Sequence, residues 1–425
     1  MKIKTILLGL LLTACTFTLT AQNDARSVVA QNPNMTGGIF TSYHYDASED
    51  APAPAGYKPF YISHYGRHGS RWHAGEYVYT HVLGWLADAA EKDALTDLGK
   101  DVYQRVKVLA EDATGRIGQL TPKGRAEHRG IAERMYRNYP EVFSTKGKRE
   151  CVVEVRSTLV PRCIMSMQSF CERLKELNPA IELHPDLGER YLTYLFNVKN
   201  LNASREKCWP LINKFKEEKM QPERFLEALF DKEYAESLNG NEVMWLMYRL
   251  ACITQDVDYL NISLYDLFTE DELYDMWLCD NVERYLEFGP SAEFGDAIAA
   301  DARPLLNQII TDADDAMATG KRSAFLRFGH DVNVVPLIDL LDVEGMNARF
   351  EYGDYDTLLD SWRDSDVTPM ATNMQFVFYH SKRSDEILVK VLHNEAPCRL
   401  PLPRDLFPYY RWSDFRDYYL PLTEE

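Results

Sequence analysis

Short apolar runs alternate with amphipathic segments along most of this chain. Residues 59–65 form an apolar run of the kind found in buried strands, and residues 150–155 and 324–329 form two more. Across residues 76–90 and 97–113, apolar side chains recur at the spacing of a helix face. Because strand and helix patterns interleave, we expect an α/β fold: a three-layer α/β/α core with a mostly parallel sheet.

Local signals mark the ends of several further elements. Thr121, followed by a proline, predicts the N-cap of a helix, and another helix is expected to begin near Pro161. The Lys- and Arg-rich stretch 123–137 is interpreted as a solvated helix face. Residues 374–380 and 387–392 are apolar runs separated by a polar turn, which predicts a hairpin.

The middle of the chain has a different pattern. Residues 190–300 are rich in Glu, Lys, Leu, Tyr and Trp, with helical periodicity and few strand signals. We therefore predict an inserted helical cap there, with the α/β core built from residues 22–189 and 301–425. Within the first part of the core, residues 22–56 are expected to be an irregular lead-in.

The N-terminus has the pattern of a targeting segment. Two lysines precede an uncharged, largely apolar run that ends at Ala21, so residues 1–21 are predicted to be a signal peptide. An alternative is a lipobox that ends at Cys15 and would leave a lipid anchor on that residue. The protein is thus expected to be exported, either periplasmic or secreted, or else an outer-membrane lipoprotein. No later apolar run reaches the ~18 residues of a membrane span.

Composition restricts the partners. The chain carries a net charge of −18, which argues against nucleic acid and anionic membranes, because both favour a basic face. An anionic small molecule would need a local cluster of Arg, Lys and His. The eight cysteines and ten histidines are scattered, without the spacing of a metal site. Cys163 and Cys171 lie too far apart on one predicted helix to form a disulfide.

Clusters of basic residues that could bind an anionic small molecule follow the three predicted core strands. Parallel strands bring ligands to their carboxyl ends, where loops and helix N-termini supply N–H donors. Paired guanidinium groups match the oxygens of a phosphoryl group. The clusters are Arg67-His68-Gly69-Ser70-Arg71, then Arg162 at the start of a predicted helix, and His330-Asp331.

These motifs resemble those of the histidine acid phosphatases, the branch of the histidine phosphatase superfamily that includes phytases and multiple inositol polyphosphate phosphatases. Arg-His-Gly-x-Arg near the N-terminus and His-Asp late in the chain are both present, in that order. The resemblance covers most of the mature chain, including the strand before each motif, the helical insertion and the late hairpin.

The resemblance implies a role for each residue of the motifs. It implies that His68 attacks phosphorus and that Asp331 protonates the departing alcohol, with activity highest at acidic pH. No metal or other cofactor is implied. The residues that would hold the phosphoryl oxygens are Arg67, Arg71, Arg162 and His330.

Two departures from the family pattern bear on the substrate. Trp72 and His73 follow Arg71 where the family often has a proline two residues on, which makes His73 a possible substrate contact. The inositol polyphosphate branch often has His-Ala-Glu where this chain has His330-Asp331. An inositol polyphosphate such as phytate is the favoured substrate. The alternatives are a broad-specificity acid phosphatase for sugar or aryl phosphates, and an inactive secreted phosphate-binding protein.

Overall fold

The computed structural model describes residues 24–45, 52–148 and 150–424. Eight strands form one sheet in the order β3-β2-β4-β1-β5-β6-β7, with β8 paired to β6. The strands are β1 (Tyr57–Arg67), β2 (Val152–Ser157), β3 (Glu182–Leu187), β4 (Ala324–Gly329), β5 (Asn373–Ser381), β6 (Ser384–His393), β7 (Ala396–Pro397) and β8 (Tyr410–Arg411). The predicted strands and hairpin are all present.

The sheet is parallel on one side and antiparallel on the other. Strands β3, β2, β4 and β1 run parallel, whereas β5 and β6 pair antiparallel with their neighbours. The register aligns the carboxyl ends of the central strands, because Arg67 lies opposite Gly329 and Ser157 lies opposite Phe328. The sheet is therefore mixed, and its central strands are mostly parallel, as expected for an α/β fold.

The helices are α1 (Ala25–Gln31), α2 (Glu76–Glu91), α3 (Asp97–Ala113), α4 (Pro122–Asn138), α5 (Pro161–Leu177), α6 (Leu192–Leu195), α7 (Lys199–Lys219), α8 (Glu223–Leu229), α9 (Lys232–Ser237), α10 (Gly240–Thr254), α11 (Glu270–Phe288), α12 (Gly295–Ala299), α13 (Arg303–Thr319), α14 (Asp331–Leu340), α15 (Asp364–Val367) and α16 (Trp412–Tyr419). Several begin as predicted; at α4, Thr121 Oγ1 accepts a hydrogen bond from Gly124 N at 3.2 Å.

Helices cover both faces of the sheet, which gives the expected three layers. Alternate residues of β1 point to opposite faces. Ile62 packs in a cluster with α4 and α5, which includes Met135 and Phe170. Tyr61 packs on the other face, in the larger cluster that includes α13 and α16 and continues among the helices between β3 and β4.

Between the ends of β3 and β4, residues 188–323 contain α-helices and short 3₁₀ turns, with no named strand. This agrees with the helical periodicity of the predicted cap, and the cap's bounds stay a prediction. Of the described residues, no helix combines the length and apolar character needed to cross a membrane. The predicted signal peptide, residues 1–21, and the alternative anchor at Cys15 lie outside the described residues.

The lead-in was predicted to be irregular, but its described residues 25–40 are largely helical. Asp24 caps α1 through a hydrogen bond from Arg26 N, and a 3₁₀ segment follows from Pro33 to Phe40. The amphipathic signal in α1 is weak because Ala25 and Val29 are its only buried residues. Packing against α11 stabilises this helix where local sequence does not.

Candidate active site

The three predicted clusters meet at one edge of the sheet. Arg67 ends β1 and Gly329 ends β4 directly opposite it, while Thr158 follows β2 and its N–H donates to Phe328 O at 3.0 Å. The amide of His68 in turn donates to Gly329 O at 3.0 Å. The segments that carry the three motifs are thus linked by main-chain hydrogen bonds at the carboxyl ends of parallel strands, where α/β proteins bind ligands.

His68 is buried and has one ring nitrogen engaged. Its Nδ1 donates to the carbonyl oxygen of Gly69 at 3.0 Å, which leaves Nε2 as the nitrogen that can act as a nucleophile. Burial, followed by the charges of Arg162 and Arg67, holds the pKa of His68 well below its ordinary value. The imidazole is therefore neutral at acidic pH, as a nucleophile must be.

Arg67 and Arg71 carry positive charge into this buried place. Two backbone carbonyls, those of Ile39 and Thr368, fix the Arg67 guanidinium at 2.7 Å each. Arg71 contacts the Phe40 ring, 5.1 Å from its centroid. Burial and the neighbouring arginines lower the pKa of Arg71 to about 9. A bound dianion would relieve this repulsion, so the arrangement favours a doubly charged ligand.

His330 and Asp331 lie close to His68 and Arg67. The His68 and His330 rings are 5.7 Å apart between centroids, and Thr158 Oγ1 lies 3.2 Å from His330 Nε2. Asp331 forms an ion pair with Arg67, with 2.9 Å between carboxylate and guanidinium. Burial raises the pKa of Asp331, but Arg67, His330 and Arg71 together hold it at about 2. Asp331 is therefore ionised when no anion is bound.

Arg162 and His73 complete the predicted set. Arg162 lies in the first turn of α5, and its charge is the second cause, after burial, of the lowered pKa values of His68 and His330. His73 stacks on the Phe40 ring at 5.4 Å, on the ring that Arg71 also contacts. Its Nδ1 accepts a hydrogen bond from Gly75 N at 2.9 Å. The structure thus brings all the predicted site residues together.

A pair of buried carboxyl groups beneath the site was not predicted. Glu127 accepts hydrogen bonds from Ser70 N and Ser70 Oγ, each at 2.7 Å, and Asp256 accepts one from Ser42 Oγ at 3.2 Å. The basic side chains of residues 123–137 do lie outside the core, but Glu127 is buried on the inner face of α4. The signal in the sequence was the spacing of Glu127 from Gly124. Gly124 is also buried and lies one helical turn earlier, so the two residues share a face of α4.

No group of three or more His, Cys, Asp or Glu side chains is arranged to hold a metal ion within the part of the chain that the structure describes. Cys163, which lies beside His330, donates to Gly329 O at 3.2 Å. Burial raises the pKa of its thiol to about 11, which keeps it protonated.

Known proteins share this fold and these motifs. The profile of the histidine phosphatase superfamily (branch 2) matches residues 67–394, most of the chain. The chain therefore belongs to the histidine phosphatase superfamily, branch 2. A curated relative is multiple inositol polyphosphate phosphatase 1 of Homo sapiens, which is 22% identical over 347 residues. That alignment covers 72% of this chain and 66% of the human protein.

Solved structures show the same fold at low identity. The multiple inositol polyphosphate phosphatase of Bifidobacterium longum, in complex with inositol hexasulfate, superposes with a TM-score of 0.76 at 19% identity, over 90% of this chain and 97% of that one. Its complex with phosphate gives a TM-score of 0.78 at 18% identity over the same shares. The phytase from D. castellii gives 0.62 at 15% identity, over 92% and 85%.

Proposed function

We propose that this protein hydrolyses phosphate monoesters, inositol polyphosphates above all, through a phosphohistidine formed on His68. The observation that carries the proposal is a buried imidazole beside three arginines, whose charges and burial favour its neutral form. His68 has Nδ1 engaged by Gly69 O, and Arg162, Arg67 and Arg71 all lie close enough to lower its pKa. A nucleophile facing a concentrated positive field suits phosphoryl transfer, in which catalysis is mainly positioning and charge stabilisation.

Two balanced steps describe the reaction. In the first, the lone pair of His68 Nε2 forms a P–N bond, the ester P–O bond breaks, and its electron pair leaves with the alcohol oxygen, which takes a proton from Asp331. In the second, water attacks phosphorus and gives a proton to Asp331, while the P–N electron pair returns to Nε2. Arg67, Arg71 and Arg162 neutralise the phosphoryl oxygens throughout.

Asp331 requires a proton that it does not hold in the free protein. Its ion pair with Arg67 keeps its pKa at about 2. A phosphate group bound by the same arginines would bring negative charge next to Asp331 and raise that pKa. A substrate that arrives as a monoanion also carries the proton with it. The proton thus enters with the substrate.

Two observations support an inositol polyphosphate as substrate. The human relative is a multiple inositol polyphosphate phosphatase, and the Bifidobacterium longum enzyme binds inositol hexasulfate. In this chain, a cleft of about 500 Å³ is lined by Lys216, Trp245 and Arg249 among others. The Arg249 guanidinium lies 4.5 Å from the centroid of Phe40, the ring that Arg71 also contacts. The cleft therefore offers room beside the site for a large ester. Its two cations are offset by Glu217, Glu242 and Glu283, with Lys216 paired to Glu283, so the support for a multiply charged substrate comes from the two relatives.

Phosphate release by the purified protein tests the proposal. Phytate, glucose 1-phosphate and nitrophenyl phosphate would be compared between pH 4 and 7, with His68→Ala as the control. We expect release from all three, fastest from phytate, and loss of at least ~10³-fold in the variant. Equal rates on all three would indicate a broad-specificity phosphatase. Release no higher than that of His68→Ala would leave a phosphate-binding protein.

A further inference from the structure

One peptide unit connects a buried carboxyl group to His68. The carbonyl oxygen of Gly69 accepts the hydrogen bond from His68 Nδ1 at 3.0 Å. The N–H of the same peptide unit, which belongs to Ser70, donates to Glu127 Oε2 at 2.7 Å. Hydrogen bonds in series polarise one another, so a negative charge at the N–H end makes the carbonyl a better acceptor.

We propose that Glu127 is a positioning residue for the nucleophile, and that it acts on His68 through the peptide unit between Gly69 and Ser70. This inference rests on the proposed phosphohistidine function. When Nε2 forms its bond to phosphorus, the imidazole ring gains positive charge, and the Nδ1–H bond to Gly69 O strengthens. Glu127 stabilises that charge from a distance without touching substrate or the ring.

The surroundings of Glu127 favour a single negative charge there. Three donors converge on its carboxylate: Ser70 N, Ser70 Oγ and, at 3.0 Å, Tyr43 N. Burial raises the pKa of Glu127 above its ordinary value, and these bonds and the charge of Lys123 offset part of that effect. Asp256, next to it, has its pKa raised to about 8 by burial and by Glu127. Asp256 is therefore the neutral member of the pair below that pH.

The connecting peptide is held rigidly. Ser70 O accepts hydrogen bonds from Thr121 N at 2.9 Å and from Thr121 Oγ1 at 3.0 Å. A Cβ added at Gly69 would lie 2.6 Å from Gly124 O, so the backbone meets the first turn of α4 directly. Both residues that flank the connecting peptide are thus held, Ser70 by Thr121 and Gly69 by the first turn of α4, which restricts rotation of the Gly69 carbonyl away from His68.

The test compares Glu127→Gln with Glu395→Gln. The first substitution keeps the size of the side chain and an oxygen that can accept from Ser70 N, but removes the charge. Glu395 is a matched control, because its side chain is only 4% exposed, pairs with Arg134 at 2.7 Å and accepts from the hydroxyl of Tyr43 at 2.8 Å. It makes no contact with the peptide at Gly69. Rapid mixing with nitrophenyl phosphate gives the rate of phosphoryl transfer, and inorganic phosphate gives binding.

We expect Glu127→Gln to slow phosphoryl transfer by about tenfold while inorganic phosphate binds within about twofold of its original affinity. Glu395→Gln should do neither. Equal transfer rates in Glu127→Gln and the unmodified protein would overturn the inference, as would weaker phosphate binding with an unchanged rate. Neither result would affect the proposed function, which fails only if the unmodified protein performs no better than His68→Ala.

A measurement on the unmodified protein covers the case in which Glu127→Gln does not fold. Histidine labelled with ¹⁵N reports which ring nitrogen carries the proton. The inference requires His68 to be protonated at Nδ1 and bare at Nε2, with the Nδ1 proton shifted strongly downfield. A proton on Nε2 in the resting protein would overturn it, whatever the activity.

Discussion

The ion pair between Arg67 and Asp331 separates two properties, the donation of a proton and the acidic pH optimum. The sequence motif alone would assign both to Asp331. The motif implies an acidic group that donates a proton, and hence activity at acidic pH because that group must be protonated. In the structure, Asp331 lies 2.9 Å from Arg67 and has a pKa of about 2. We therefore expect an acidic optimum to reflect the ionisation of the substrate rather than that of Asp331 in the free protein.

This predicts the form of the pH profile. Below the second pKa of a phosphate ester, about 6, the substrate is a monoanion that carries the required proton. Above that pH the substrate loses the proton, and Asp331 has none to give. We expect kcat/KM to be level from pH 4 to about 5.5 and to fall about tenfold per pH unit well above pH 6. Initial rates at low substrate concentration measure it.

The matching control is a change of substrate rather than of residue. Two esters whose second pKa values differ by about one unit should give profiles whose midpoints differ by the same amount. Midpoints that coincide would assign the fall to a group of the protein, and an acid limb near pH 4 would restore Asp331 as the group that titrates.

At the scale of elements, the approach of α4 to the loop after β1 holds the neighbours of His68 in place. A Cβ at Gly124 would lie 2.2 Å from Ser70 O, a backbone atom that cannot swing aside. We predict that Gly124→Ala destabilises the fold by about 1–3 kcal/mol, as overpacking does, and weakens phosphate binding. Thermal unfolding and phosphate titration measure the two effects.

Gly84, in the exposed middle of α2, supplies the contrast. A Cβ there meets nothing within 4 Å, so Gly84→Ala should stabilise the protein by about 0.5–1 kcal/mol through helix propensity. Phosphate binding should not change. If both alanine variants lowered stability alike, the close contact at Gly124 would not be the cause of its effect.

The elements that could be predicted from sequence are those with strong local signals. The central strands β1, β2 and β4 are rich in apolar residues, and each leads into a segment that carries a basic or His-containing motif, so the site could be located with them. Helix α1 was missed because its stability comes from packing on α11 rather than from its own pattern. Glu127 was missed because a charge on a basic helix resembles a solvated face, and only tertiary contacts show it to be buried beneath Ser70.

At the scale of the whole molecule, buried ionisable groups act on stability in opposite directions. Burial lowers the pKa of His64, His128 and His330 to about 3, and that of His393 to about 4. These histidines are neutral in the folded protein, and below about pH 6.5 they bind protons when the protein unfolds. Their contribution to the stability of the folded protein therefore falls as the pH falls below that value. Burial also raises the pKa of Asp256 to about 8 and that of Asp339 to about 7.

The two carboxyl groups with raised pKa values have the opposite effect on stability. They hold a proton when folded and release it on unfolding above about pH 4, so their contribution falls as the pH rises toward 7 or 8. We therefore predict that the free energy of unfolding is highest near pH 6.5 and lower at both pH 5 and pH 8. Urea titrations at the three pH values measure it.

Asp339→Asn is the matched variant, because it removes one carboxyl group that has a raised pKa and that lies outside the site. The asparagine binds no proton in either the folded or the unfolded state. The free energy of unfolding of the variant, relative to that of the unmodified protein, should therefore increase by about 2 kcal/mol between pH 5 and pH 7. Stability that rises steadily through pH 8 in the unmodified protein would show that the buried acids do not hold their protons.

The order of strands in the sheet also sets when activity can first appear as the chain is made. Strand β1, which leads into His68, lies between β4 and β5, and these begin at residues 324 and 373. During synthesis from the N-terminus, the nascent chain thus carries His68, the proposed nucleophile, for about 260 residues before His330 and Asp331 exist to complete the site. Pairing over such sequence distances makes folding slow. We therefore expect ribosome-bound or truncated chains to be inert toward phosphate esters, and the proposed activity to appear only once the last quarter of the chain has joined the sheet.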